Sequence, residues 1–259
     1  MLLEFLFPKT CVGCGRIGVY FCPSCSQRFS FASPICPMCG RGSIGGITHV
    51  RCRRPLGIDG LVALFAYREG IQVAVKRLKY RFVREMGEAF VDLAHKRIES
   101  SLVSYFQRDS FQVVPVPLFR TRERRRGYNQ AAVLGELFAL RLGLDFVPVL
   151  VRVKNTQALA ELQVRLSSNE EKAIEEKYLS LAQRRVAQWK LLAEKKSRLR
   201  ADEIRGAFKV SEKFKVQNAR LLLVDDVWTS GGTMLECAKT LKRTGASRVW
   251  GLAFSRGGR

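Results

Sequence analysis

Residues 221–233 read Leu-Leu-Leu-Val-Asp-Asp-Val-Trp-Thr-Ser-Gly-Gly-Thr. Four apolar residues of a buried strand run into two carboxylates, Asp225 and Asp226, then into a loop of hydroxyls and glycines that opens a helical pattern. Backbone N–H groups of such a loop at a helix N-terminus cradle a phosphate, and the hydroxyls of Thr229, Ser230 and Thr233 around Gly231 and Gly232 complete its shell. Adjacent carboxylates at the strand end accept hydrogen bonds from neighbouring hydroxyls of a ribose. Capping a turn would account for a lone acidic pair after a strand, but it leaves the rest of the string without a role. Binding of a sugar phosphate uses all of it.

A second chemistry is written near the start. Cys11/Cys14, Cys22/Cys25, Cys36/Cys39 and His49/Cys52 form four knuckles, each with two residues between its ligands. Tetrahedral zinc takes four N/S ligands, and each knuckle delivers two of them, often with a following glycine such as Gly15 or Gly40 easing the turn. Eight ligands are enough for two closed structural sites; a single site with one knuckle merely packing is the other arrangement, and spacing alone leaves the pairing open. The first 55 residues carry seven Lys/Arg against one Glu, so seven zinc-bound thiolates leave this stretch mildly basic. Cys237 falls in a helical pattern and reads as a core thiol.

The elements that must position these groups follow from pattern. Buried strands are predicted at 61–67, 111–116, 145–153, 220–227 and 248–254, and helices at 71–79, 83–104, 129–142 and 232–244. Alternating strands and helices predict an α/β fold, a mostly parallel sheet with helices on both faces and ligands at the carboxyl ends of the strands. Cys, Gly and Pro crowd the stretch before residue 56, which predicts a zinc-ribbon module over 1–55 and an α/β domain over 56–259. Ser168 to Arg200 lacks Gly and Pro, and its Leu179, Ala182, Val186, Trp189 and Ala193 step by three and four residues. That spacing predicts a long helix with one apolar stripe, fit for its own protein or a partner helix.

The 259 residues contain 45 Lys+Arg against 23 Asp+Glu, with 47% apolar residues and 10% aromatics. This excludes disorder and collagen. The net charge of +22 exceeds what solubility needs and points to polyanionic or phosphorylated partners. Five arginines and one glutamate crowd Phe119 to Gln130, and Lys76, Arg77, Lys79 and Arg81 interleave with Tyr80 and Phe82, a composition suited to single-stranded nucleic acid. No apolar run is long enough to span a bilayer, and Glu4 and Lys9 interrupt the opening where a signal peptide needs an unbroken stretch, so the expected location is cytoplasmic.

The 221–233 string resembles the PRPP-binding motif of type I phosphoribosyltransferases at every position. Together with Pro115-Val116-Pro117-Leu118, Arg120, Arg122, Arg126-Gly127-Tyr128-Asn129-Gln130, Arg152-Val153-Lys154-Asn155-Thr156 and Arg205-Gly206-Ala207-Phe208, it resembles the ComF family. That resemblance implies a double zinc ribbon followed by a type I phosphoribosyltransferase-like domain. It implies PRPP, or a related ribose phosphate, bound with Mg²⁺, with Asp225 and Asp226 as catalytic carboxylates. Residues 229–233 become the 5-phosphate loop, and Val116, Pro117 and Leu118 with Arg120 and Arg122 the pyrophosphate loop. The implied biology is handling of single-stranded DNA with the DNA-uptake machinery of natural transformation. Two readings stay open: phosphoribosyl transfer, and a non-catalytic PRPP-sensing, single-stranded-DNA-binding or interaction module. The chain departs from the family in a helical insertion at about 165–200, which falls in the hood loop that closes over PRPP, in Glu203 where Asn is expected, and in His49 replacing a knuckle cysteine.

Overall fold

The run of apolar residues before the acidic pair forms the heart of a parallel sheet. Strand β1 (Gly60–Ala66), β2 (Gln112–Pro115), β5 (Arg220–Trp228) and β6 (Arg248–Arg256) lie in the order β1-β6-β5-β2, all parallel. The computed structural model describes residues 8–79, 83–156, 166–178 and 180–257. Along β5, Leu222 and Val224 enter one apolar cluster and Leu221 and Leu223 the other; Trp250, Leu252 and Phe254 of β6 likewise oppose Val249 and Ala253. Both faces are covered, so these strands are continuously apolar.

Helix α1 (Pro23–Ser26) is a single turn after Cys22, and helices α2 (Glu69–Arg77), α3 (Val83–His95), α4 (Ser100–Arg108) and α6 (Gln130–Leu142) supply residues to the first cluster. Helix α9 (Gly232–Arg243) packs on the second through Met234, Cys237 and Leu241. Cys237 is fully buried there. A two-stranded antiparallel ladder, β3 (Leu150–Arg152) with β4 (Phe208–Val210), stands apart from the main sheet.

The Cys-rich stretch lies along the outer edge of β1. The Ala66 N–H donates to the Ser30 carbonyl (2.9 Å), the Ala32 N–H to Leu64 (3.2 Å) and the Thr48 N–H to Asp59 (2.9 Å). Its Cys11, Val12, Cys22, Cys25 and Phe29 belong to the first core cluster. An edge strand that would expose unpaired backbone groups is thereby covered. On the opposite edge, Val113 pairs with Asp145 and Val147.

Several elements differ from expectation. Residues 145–153 do not add one long strand: Pro148 has no N–H to donate, Phe146 keeps only a single bridge to Val113, and β3 turns to β4 instead. The 83–104 helix is two helices, split at Glu99, whose extended backbone caps α4. The basic run after Phe119, where no helix is predicted, is α5 (Arg120–Arg126), ended by Gly127 at φ 82°. The insertion is two helices, α7 (Ser168–Lys177) and α8 (Leu181–Ile204), because Tyr178 is extended and the Ser180 side chain accepts the Gln183 N–H to start a new helix. Val186 and Trp189 stay 52% and 61% exposed, so the stripe is not buried on its own protein. Leu179, Tyr80, Arg81, Phe82 and Arg165 lie outside the described residues.

Candidate functional site

Successive knuckles pair in space. The ligand atoms of Cys11, Cys14, Cys22 and Cys25 all lie within 4.8 Å of one another, as do those of Cys36, Cys39, His49 and Cys52. Tetrahedral zinc with Zn–S bonds of about 2.3 Å separates its sulfurs by about 3.8 Å, and a sulfur from a nitrogen by about 3.5 Å. Cys14 Sγ and Cys22 Sγ are 3.8 Å apart, and Cys39 Sγ and His49 Nδ1 are 3.5 Å apart. His49 Nε2 lies 3.0 Å from the Gly42 carbonyl oxygen, which can only accept, so the proton sits on Nε2 and Nδ1 is left as the ligand.

The backbone also favours thiolates. Burial raises the Cys11 thiol, but N–H groups of Cys22, Cys14 and Gly13 outweigh it and hold it at about 6. Cys36 is likewise raised by burial and brought down to about 7 by N–H groups of His49, Cys39 and Met38. Closed four-ligand sets with N–H···S support are structural zinc sites.

The second site lies at the carboxyl edge of the sheet. There β5 ends at Asp225 to Trp228, β2 gives way to Val116, Pro117 and Leu118, and β1 to Tyr67, around a cleft of about 530 Å³. The Val116 N–H donates to the Val224 carbonyl (2.9 Å), which sets this turn beside the acidic pair. Asn129 fixes it from behind: its Nδ2 donates to the Val116 carbonyl (3.0 Å), while its Oδ1 accepts the Ala131 N–H (3.0 Å) and caps α6.

Asp225 and Asp226 sit in different surroundings. Asp225 Oδ1 accepts the Asp226 N–H (2.9 Å), and burial, then the neighbouring Asp226 charge, pushes the Asp225 carboxyl well above the usual carboxylate range. Asp226 is 6% exposed, and its Oδ2 is buried without a hydrogen-bond partner, 3.6 Å from Lys79 Nζ. Lys79 is placed by the corner beside it, where the Tyr128 hydroxyl donates to the Leu78 carbonyl (2.7 Å).

Cations line the remaining walls. Arg122 donates to the Thr156 carbonyl (2.6 Å) and Arg152 to the Thr156 hydroxyl, so one threonine latches two guanidiniums. Arg126 Nη1 donates to Gln130 Oε1 (2.9 Å). Together with Lys79 these residues set four positive side chains against two carboxylates in one cleft. Such a site accepts a ligand with hydroxyls at one end of its contacts and clustered negative charge at the other.

The double zinc ribbon family matches residues 2–54. Competence protein F of Haemophilus influenzae is 25% identical over 238 residues, covering 90% of this chain and 89% of its own. DNA utilization protein YhgH of Salmonella typhimurium is 25% identical over 230 residues, 88% of this chain and 86% of its own. Competence protein ComFC of Bacillus subtilis is 32% identical over 127 residues, 44% of this chain and 50% of its own. Over most of its length the chain is thus similar to proteins named for competence and DNA utilization.

The residues singled out from sequence are placed as follows. Asp225, Asp226, Thr229, Gly231, Gly232, Thr233, Val116, Pro117, Leu118 and Arg122 all line the cleft; Arg120, exposed at the first position of α5, and Ser230 do not. Lys79, Arg126, Gln130, Arg152 and Thr156 also line it. Sequence marks Arg126, Gln130, Arg152 and Thr156 only as points of resemblance and Lys79 only as part of a basic run, because no local pattern says that a helix C-terminus and an arginine 73 positions later in the chain share one cleft. Lys154 instead donates to the Arg205 carbonyl (2.7 Å), closing the base of the insertion. Among the described residues no helix is long and apolar enough to cross a membrane.

Proposed function

We propose that the cleft binds PRPP and that the chain serves DNA uptake, handling single-stranded DNA on the cytoplasmic side. One observation carries the reading: an acidic pair at the end of β5, an N–H-rich loop opening a twelve-residue helix, and four cations meet in one cleft. A 5-phosphate fits the 229–233 loop, where the backbone N–H groups that start α9 have no helical acceptor. Ribose hydroxyls fit Asp225 and Asp226, and the diphosphate fits Arg122, Arg126 and Arg152. The names of the relatives, competence and DNA utilization, support the biology.

The buried Asp226 Oδ2, which has the Lys79 ammonium at 3.6 Å but no hydrogen-bond partner, suits Mg²⁺ or its waters as well as a hydroxyl, so Asp225 and Asp226 would hold the ion. Bound there, Mg²⁺ would neutralise diphosphate charge. The protein's own residues hold the phosphates apart and orient the anomeric carbon toward the open side of the cleft. Positioning and fixed charge of this kind stabilise a transition state in which the ribose becomes cationic and pyrophosphate leaves.

Calorimetric titration of PRPP with Mg²⁺ into wild type and the Asp225→Asn/Asp226→Asn variant tests the reading. Saturable binding by wild type and its loss in a variant that still melts cooperatively is expected; no binding by wild type would overturn it. Pyrophosphate release with and without single-stranded DNA then separates transfer from sensing.

A further inference from the structure

A second cavity of about 520 Å³ lies at the opposite, amino-terminal edge of the sheet. Trp250 and Tyr105 make its aromatic corner, their ring centroids 5.8 Å apart and tilted by 59°. The corner is rigid. Trp250 is 4% exposed and packs edge-on against Phe106 at 5.6 Å. Gly60 on β1 lacks a side chain where a Cβ would stand 2.5 Å from the Trp250 ring.

Two arginines, Arg53 and Arg248, form the polar rim. No carboxylate pairs with either among the described residues. The one acid in the cavity wall, Asp59, is already engaged, by Lys242 Nζ at 2.8 Å and the Val249 N–H at 2.7 Å. The cavity is therefore positive at its mouth and aromatic at its wall. Arg53 and Ile47 come from the loop carrying the His49/Cys52 knuckle. That loop is held on the sheet by the Ile47 bridge to Gly60 and by the Thr48 hydroxyl, which donates to the Ile58 carbonyl at 2.6 Å. Gly46 approaches so closely that a Cβ would lie 1.9 Å from the Leu61 carbonyl oxygen.

We propose that this cavity binds a nucleoside phosphate, with the base against the half-buried Tyr105 ring that Trp250 backs and the phosphate between Arg53 and Arg248. Planar bases stack on aromatic side chains, and guanidinium forks match phosphate oxygens. The volume falls in the range of small-ligand sites. The inference does not depend on PRPP binding, because no residue is shared by the two cavities. A free nucleotide and one nucleotide of a single strand offer the same chemistry.

The test uses the zinc-loaded full chain, titrated with adenosine monophosphate and with a short oligodeoxyadenylate, and with adenosine and inorganic phosphate as half-ligands. Both nucleotide probes should saturate, and both half-ligands should bind more weakly. Arg53→Gln/Arg248→Gln should weaken nucleotide binding by at least about tenfold. Arg53→Lys/Arg248→Lys should retain part of it, and the Asp225→Asn/Asp226→Asn variant all of it. Much tighter binding of the oligonucleotide supports the site with a strand as the source; equal binding supports it with a free nucleotide. Unchanged affinity in the glutamine variant, loss of binding in the Asp225→Asn/Asp226→Asn variant, or no saturable binding of either probe would overturn the proposal.

Discussion

Gly231 offers the sharpest separation of cleft architecture from mere loop flexibility. It sits immediately before α9 at φ 78°, and a Cβ added there would lie 2.2 Å from Trp228 Cζ2 and 2.5 Å from Cη2. Alanine at this position carries two costs. The left-handed backbone costs an L-residue about 1 to 2 kcal/mol. The clash forces the Trp228 ring aside, and that ring is 4% exposed within the second core cluster, so it cannot swing without opening its neighbours. Overpacking of this kind costs about 1 to 3 kcal/mol. The sum, about 2 to 5 kcal/mol, corresponds to a melting point lower by roughly 5 to 15 °C for a chain of this size. Gly232, one residue later, is the control: its φ is not positive, and the nearest atom to an added Cβ is Ser230 Oγ at 3.9 Å. Gly232→Ala should change stability by no more than about 0.5 kcal/mol. Thermal unfolding of both zinc-loaded variants by circular dichroism decides the matter. Because Trp228 and Thr229 line the cleft, Gly231→Ala should also weaken PRPP binding in calorimetry. Equal melting points for the two variants would refute the argument that the loop is locked against Trp228.

Other perturbations follow from the same geometry. Asp225 is held above its ordinary value of 3.8, so the folded state prefers it protonated and loses stability as pH rises from that range through the raised value. Asp225→Asn should therefore raise the melting point at neutral pH, by a margin that shrinks toward acid pH, while abolishing PRPP binding; a melting point no higher than wild type at neutral pH contradicts it. Metal analysis should find two zinc ions per chain, one after His49→Ala and two after His49→Cys, and chelation should unfold the Cys-rich stretch; a single ion in wild type rules out the paired quartets. Lys79→Met removes the cation 3.6 Å from Asp226 Oδ2, whose charge draws the Asp225 carboxyl down, so PRPP affinity should fall and the Asp225 titration move further upward; an unchanged pH profile would show that Lys79 does not act on Asp225. Trp189→Glu should leave the unfolding free energy within about 0.5 kcal/mol of wild type, since the residue is 61% exposed; a large loss would mean that the stripe packs after all.

What could be read from sequence and what could not divide along a physical line. The β5 strand, its acidic pair and its loop were legible because each is a local statement: apolar residues buried on both faces, carboxylates where the strand ends, glycines where a helix begins. The knuckles were legible as ligands for the same reason. Their pairing was not, because spacing within a knuckle says nothing of which knuckle meets which; the Cys14 to Cys22 approach and the Gly42 carbonyl on His49 are tertiary facts. Helix α5 hid because its arginines show no apolar face to mark a helix, and its end is signalled only by Gly127. The break between α7 and α8 hid because Ser180 caps through its own side chain, without a glycine or proline to announce it. The cations of the cleft were hardest to place, since Lys79, Arg122 and Arg152 come from three separate elements and are brought together by Tyr128 and Thr156, residues whose roles appear only as hydrogen bonds to distant backbone or to arginine. A local motif thus announces the part of the cleft that would meet ribose and 5-phosphate, whereas the cations gathered round the turn at Val116 to Leu118, where the diphosphate would lie, are brought there by topology. It follows that Tyr128→Phe, which removes one hydroxyl and leaves every cation in the sequence, should weaken PRPP binding by displacing Lys79, and that the loss should vanish when Lys79 is already methionine. If the two changes weaken binding independently, the corner at Tyr128 does not position the lysine.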